Sequence, residues 1–134
     1  MKRRNMAGKA KILIVEDEAP VAMIMRFLLG LAGCEAEIAP TRARAIQMAQ
    51  YGNFDLITLD VNMPDANGFE LCCEFKQNPR LREIPVVFVS GRCCLEDQQR
   101  GLDAGAADYI TKPFETFEFA SRVLSHIKRN LTHA

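Results

Sequence analysis

The chain has 134 residues, enough for one compact domain, and its 49% hydrophobic and 25% charged residues are the balance of a globular protein with a core, not of a disordered chain. Lys plus Arg and Asp plus Glu are equal at 17 each, so no bulk charge draws the chain to nucleic acid or to an anionic membrane. The longest apolar stretch, Val21 to Ala32, is broken by Arg26 and is too short to span a bilayer, and no signal-peptide pattern precedes it.

Five cysteines, Cys34, Cys72-Cys73 and Cys93-Cys94, show neither CxxC spacing nor a nearby His pair, which argues for reduced thiols in a cytoplasmic protein rather than a zinc site. The Cys93-Cys94 side chains are expected to be small, half-buried groups. Residues 1–10, with Lys2-Arg3-Arg4 and Lys9, read as a flexible basic tail, residues 11–130 as the single domain and residues 131–134 as a C-terminal tail.

Lys11 to Val15 is an apolar, β-branched run that stops at Glu16-Asp17-Glu18, the pattern of a buried strand ending in an acidic turn. From Pro20, the residues Val21, Ile24, Met25, Leu28 and Leu29 recur at helical spacing up to Gly33. Cys34 to Ala39 reads as a second strand, followed by Thr41 as N-cap of a helix reaching about Gln50 and closed by Gly52. Phe54 to Leu59 is a third strand, delivering Asp60 into a loop, residues 61–68, rich in turn formers.

A third helix is expected from Phe69 to Gln77 and a fourth strand from Pro85 to Val89, ending at Ser90-Gly91. Leu95 to Ala104 is a helix with a sparse apolar face, Leu95 and Leu102. Asp108 to Thr111 is the last strand, ending at Lys112-Pro113. The final helix carries Phe117, Ala120, Leu124, Ile127 and Leu131 on one stripe.

Five strands alternating with five helices imply an α/β, doubly wound, five-stranded parallel sheet with helices on both faces, because parallel strands need right-handed crossovers. In such sheets the functional crevice lies beyond the C-terminal strand ends. There the sequence places Glu16 and Asp17, Asp60, Ser90 and Lys112. Three acids crowded together are tolerable around a hard, oxygen-seeking cation such as Mg2+. With that charge neutralised and Lys112 nearby, a carboxylate can take a phosphoryl group in line, and Asp60 is the best nucleophile, with the Asn62 backbone carbonyl as a further ligand.

The segments Ile-Leu-Ile-Val-Glu16-Asp17-Glu18, Asp60-Val-Asn-Met-Pro64-Asp-Ala-Asn-Gly68, Val-Ser90-Gly and Gly105-Ala-Ala-Asp-Tyr109-Ile-Thr-Lys112-Pro113-Phe, in this order and spacing, make the chain resemble a response-regulator receiver domain over about residues 11–129. The resemblance implies the flavodoxin-like strand order 2-1-3-4-5. It implies Asp60 as phosphoacceptor, Asp17 as direct Mg2+ ligand, Glu16 as second acid acting through water, and the Asn62 carbonyl completing the set, with Mn2+ as a substitute ion. Ser90 and Lys112 would each contact a phosphoryl oxygen, the Lys112-Pro113 bond would be cis, and Ser90 with Tyr109 would form the switch. Glu16 stands where Asp is commoner and Ser90 where Thr is commoner.

The same resemblance implies a two-component phosphoacceptor that assists its own phosphotransfer and dephosphorylation rather than a turnover enzyme. The phosphodonor would be a sensor histidine kinase or phosphotransfer protein, and the reader a downstream protein or an output domain not in this sequence. No direct nucleic-acid or membrane contact is expected. The output face is placed on the fourth helix, last strand and last helix. A phosphorylation-dependent homodimer through an Asp103–Arg122 pair is one use of it, but Ala107, where winged-helix regulators often carry an acid, favours a different protein as partner. His126 and His133 read as ordinary helix and tail residues. A dehalogenase-type phosphatase would need an acid two positions after Asp60, where Asn62 stands. A flavodoxin-like cofactor binder would have to cradle a phosphate against Glu16-Asp17-Glu18.

Overall fold

The computed structural model describes residues 8–131. In chain order the elements are β1 (Lys11–Val15), α1 (Ala19–Leu31), β2 (Glu35–Ala39), α2 (Arg42–Tyr51), β3 (Leu56–Leu59), β4 (Asn62–Met63), β5 (Ala66–Asn67), α3 (Gly68–Gln77), β6 (Val86–Ser90), α4 (Leu95–Asp103), β7 (Asp108–Thr111) and α5 (Thr116–Leu131). The main sheet has the order β2-β1-β3-β6-β7 with every pairing parallel. Numbering only its five strands gives 2-1-3-4-5, the expected topology.

The sheet divides the core in two because successive strand residues point to opposite faces. Leu13, Val15, Ile57, Leu59, Val86 and Phe88 pack with Ala45 and Ala49 of α2 and with Phe69, Leu71 and Phe75 of α3. Ile12, Ile14, Leu56, Val87 and Val89 pack on the other side with Ala22, Met25 and Leu29 of α1 and with Phe119, Val123 and Ile127 of α5. β3 and β6 are buried on both faces, which explains their unbroken apolar runs.

The helix starts follow local chemistry. Thr41 Oγ1 accepts from the Arg44 N–H at 3.2 Å, the expected N-cap. Asn67 Oδ1 caps α3 by accepting from Phe69 N–H at 2.8 Å. The segment expected as a plain loop after Asp60 instead holds a minimal antiparallel hairpin, Asn62 opposite Asn67 and Met63 opposite Ala66, turned by Pro64-Asp65.

Two helical stripes differ from expectation. In α1, Ile24 is exposed and Ala22 takes the inner position beside Met25 and Leu29. In α5, Phe117 is 86% exposed, while Phe119, Val123 and Ile127, one turn apart from each other, form the buried line. The Leu131 side chain lies outside the described residues, as do residues 1–7 and 132–134 of the expected tails, including His133. Ala10 is buried, and its carbonyl accepts from Glu35 N–H at 2.8 Å. No helix among the described residues is long and apolar enough to cross a membrane.

α4 is held loosely. Its one buried residue is Gly101, where an added Cβ would lie 2.9 Å from the Tyr109 ring and 3.0 Å from the Phe88 ring, so the helix meets the sheet through a missing side chain.

Thr58, mid-strand in β3, has its hydroxyl fully buried without a hydrogen-bond partner among the described residues. Burying an unsatisfied hydroxyl costs about 1–3 kcal/mol. Thr58→Val, which keeps the shape and removes the hydroxyl, is therefore expected to raise unfolding stability by about 1 kcal/mol. A urea midpoint that stays put or falls would contradict this reading of the core.

Candidate functional site

The site is built by strand ends. β1 runs straight into Glu16 and Asp17, β3 into Asp60, β6 ends on Ser90, and β7 ends one residue before Lys112. Asp17, Glu18, Asp60, Asn62, Gly91 and Lys112 line a cleft of about 250 Å³ at this edge. Each of Glu16, Asp17 and Asp60 offers a carboxylate oxygen, and these oxygens lie within 4.8 Å of one another. Glu16 is only 1% exposed and Asp60 6%, whereas Asp17 is exposed.

Lys112 ties the acids together. Its Nζ donates to Glu16 Oε1 at 2.8 Å and to Asp60 Oδ2 at 3.1 Å, and lies 3.7 Å from Glu18 Oε1. The Lys112–Pro113 bond is cis. Burial pushes the Glu16 carboxyl above its ordinary value, with the Lys112 hydrogen bond opposing and the Asp60 charge adding to the rise. Burial would lower the Lys112 ammonium, but the Glu16 hydrogen bond and the Asp60 and Glu16 charges outweigh it and hold the group above its ordinary value. The remaining Asp60 oxygen accepts from Asn62 N–H at 3.3 Å, and Glu16 Oε2 accepts from Glu18 N–H at 3.2 Å.

The donor set suits a hard divalent cation. All of its side-chain donors are carboxylate oxygens, as Mg2+ prefers, with no thiol or imidazole among the clustered groups.

Ser90 and Tyr109 sit behind the cleft. The Ser90 side chain is fully buried, and its Oγ accepts from Arg92 N–H at 3.2 Å. Tyr109, 5% exposed, donates its hydroxyl to the Arg92 carbonyl at 2.6 Å, and its ring packs against Phe88 with centroids 5.7 Å apart. Burial raises the Tyr109 phenol above its ordinary value. The two residues are therefore linked through the Arg92 backbone, whose N–H donates to Ser90 and whose carbonyl accepts from Tyr109.

Gly68 is a site residue whose reason was not visible in the motif. A Cβ there would lie 2.2 Å from the Asp60 carbonyl oxygen and 2.7 Å from Val61 Cα, while its own N–H donates to the Val61 carbonyl at 2.7 Å. The start of α3 thus rests directly on the backbone that carries Asp60.

Arg122 is engaged within the chain. Its Nη2 donates to Asp108 Oδ1 at 2.6 Å and Nε to Asp108 Oδ2 at 3.2 Å, while Asp103 accepts from Gln99 at 2.9 Å. His126 is not an isolated helix residue: its Nε2 lies 3.1 Å from Asp108 Oδ2. β7 delivers Asp108 between successive turns of α5, so Arg122 and His126 form an intrachain cluster with it.

Burial works to raise the Asp108 carboxyl, but hydrogen bonds from Arg122 and His126 hold it below the ordinary 3.8. A carboxylate depressed in the folded state stabilises the fold above its unfolded pKa, and that stabilisation fades as pH falls through the depressed value. Asp108→Asn should therefore destabilise the protein clearly at about pH 6 and less at about pH 3, where the unfolded chain's carboxyls are largely protonated. A stability difference in urea that is the same at both pH values would count against this cluster.

The cysteines divide by position. Cys34 and Cys72 are buried, whereas Cys73, Cys93 and Cys94 are exposed, so the last two are not the half-buried groups expected. The connection from β6 to α4 carries them outward.

The family model described as the response regulator receiver domain matches residues 12–124. The chain is 37% identical over 119 residues to the phosphate regulon transcriptional regulatory protein PhoB of Escherichia coli (strain K12), covering 89% of this chain and 52% of that protein. It is 33% identical over 124 residues to the uncharacterized transcriptional regulatory protein YkoG of Bacillus subtilis (strain 168), covering 92% and 54%. The chain thus spans about half the length of the curated relatives it matches. Among solved structures, it is similar to the receiver domain of the Francisella response regulator 1452, with a TM-score of 0.85 and 27% identity over 91% of this chain and 99% of that one. It is also similar to the signal receiver domain of a signal transduction histidine kinase from Syntrophus aciditrophicus, with a TM-score of 0.81 and 34% identity over 89% and 90%.

Proposed function

This chain belongs to the response regulator receiver domain family of two-component signal transduction, and from that membership we propose that it accepts a phosphoryl group on Asp60 from a sensor histidine kinase or a histidine phosphotransfer protein. The observation that carries the reading is the Lys112 ammonium held against both Glu16 and Asp60, 2.8 and 3.1 Å away, in a cleft that also gathers Asp17. That is a carboxylate nucleophile beside a fixed cation and an oxygen-only metal set.

Glu16, Asp17, Asp60 and the Asn62 carbonyl would hold Mg2+, or Mn2+ in its place, which when bound neutralises the carboxylates and the incoming phosphoryl oxygens. In the transfer, an Asp60 carboxylate oxygen attacks phosphorus, the new O–P bond forms as the bond to the donor breaks, and the donor nitrogen or oxygen departs with its electron pair. Lys112 then pairs with a phosphoryl oxygen in place of Asp60. Ser90 turns its hydroxyl toward another, leaving the Arg92 N–H that it now accepts from.

These contacts exist only once the phosphoryl group is present, which is the differential interaction a two-state switch requires. Movement of Tyr109 with Arg92 and the weak anchorage of α4 at Gly101 support a responding surface on α4, β7 and α5. The intrachain Asp108–Arg122 pair leaves a different protein, or an output domain of a longer regulator, as the preferred reader over a homodimer. No step of this reading requires turnover of a substrate, contact with nucleic acid or a membrane.

Incubation with acetyl phosphate and Mg2+ tests the proposal by intact mass. One phosphoryl group should add to the wild type, and Asp60→Asn or a chelator should abolish it. Equal labelling of Asp60→Asn, or labelling indifferent to chelator, would refute the reading.

A further inference from the structure

Two thiols stand unused at the point where β6 hands over to α4. Cys93 and Cys94 are adjacent, free and both exposed. Their backbone is a junction of the responding surface. The Arg92 carbonyl before them accepts from the Tyr109 hydroxyl at 2.6 Å, the Cys93 carbonyl accepts from Gln98 Nε2 at 3.0 Å, and the Cys94 carbonyl accepts from Gln98 N–H at 3.1 Å, opening α4. The Cys94 thiol, at the N-cap position, lies 3.2 Å from Asp97 Oδ2.

We propose that Cys93 and Cys94 form a dithiol site for trivalent arsenic, as arsenite or an organoarsenical, and that its occupation acts on the start of α4 and on Tyr109. A disulfide between them is disfavoured: consecutive Cα atoms are about 3.8 Å apart, below the roughly 4.4–6.8 Å of unstrained disulfides. A large thiophilic atom placed between the two sulfurs enlarges the ring by one member and suits soft thiolate donors. The irregular backbone from Gly91 to Cys94, outside strand and helix, can turn both side chains to one ligand.

The chain supplies its own control. Cys72-Cys73 is equally adjacent in sequence, but α3 turns Cys72 into the core, where it is fully buried, its Sγ lies 3.5 Å from the Ala104 carbonyl, and burial raises its thiol to about 11. Cys73 is left as a single accessible thiol.

With phenylarsine oxide the chemistry is a condensation. Two S–H bonds and the arsenic–oxygen double bond break, two As–S bonds form, and the oxygen leaves as water with both thiol protons. Arsenic stays trivalent, so no oxidant or reductant is consumed.

The experiment is mass spectrometry of the full chain with phenylarsine oxide in the presence of a competing monothiol. A one-to-one adduct is expected on the wild type and on Cys73→Ser. Cys93→Ser and Cys94→Ser should each weaken retention by about a hundredfold, because the second As–S bond is intramolecular. Unweakened retention in either of these two variants, or its loss in Cys73→Ser, would overturn the site. In a Tyr51→Phe background Tyr109 is the remaining tyrosine. Its emission should change on loading with the arsenical, and unchanged emission on a loaded protein would overturn the link to α4.

Discussion

Lys112→Ala is expected to lower unfolding stability by about 3 kcal/mol in divalent-free buffer, the scale on which removing one partner of a buried ion pair is felt. The variant leaves Glu16, with a side chain 1% exposed, and Asp60, 7% exposed, facing each other without the cation that now sits between them. Two opposing effects then decide the outcome in Mg2+. Losing Lys112 removes compensation from the acids, but it also removes the group that competes with a divalent ion for Glu16 and Asp60. A ligand that binds only the folded state at a hundred times its dissociation constant returns about 2.7 kcal/mol. Mg2+ at about a hundred times its dissociation constant should therefore restore most of the loss, and chemical denaturation with and without the ion measures both numbers. A deficit that Mg2+ leaves untouched would show that the acids do not form a common cation site.

Gly68→Ala should impair phosphorylation without touching any charged group. Its new Cβ would fall 2.2 Å from the Asp60 carbonyl oxygen and 2.7 Å from Val61 Cα, both of them backbone atoms that cannot rotate away. Either α3 or the Asp60 segment must move. Overpacking of this kind costs about 1–3 kcal/mol, and a displacement of about 1 Å in a reacting group can slow a reaction by about a hundredfold. The initial rate of acetyl phosphate labelling should fall by that order while the variant remains folded. Wild-type labelling rates would mean that α3 does not position Asp60.

The cleft was legible because its residues end strands, and a strand end followed by an acid is a local pattern. Asp60, Glu16, Asp17 and Lys112 converge once a parallel sheet is inferred, since parallel strands all finish at one edge. Helix faces were less legible. α5 is apolar enough that two stripes compete, and nothing local distinguishes Phe117 from Phe119; rotation of the helix against Ile110 and Val89 buries the second. α1 likewise offers Ile24 or Ala22 to the sheet, and the smaller residue allows the closer approach. The Asp108 cluster was not legible at all, because Arg122 and His126 meet it only when β7 and α5 lie side by side. The close approach of Gly68 to Asp60 depends on the hairpin of β4 and β5, which two-residue strands do not announce.

The central claim concerns one atom pair, a carboxylate oxygen of Asp60 and phosphorus. Borohydride reduces an acyl phosphate of aspartate to homoserine, so treating the protein after acetyl phosphate and Mg2+ and then mapping its peptides locates the modified carboxyl directly. Homoserine at position 60 alone is the predicted result. Homoserine at Asp17, Asp65 or another acid, or none at all with Mg2+ present, would contradict it.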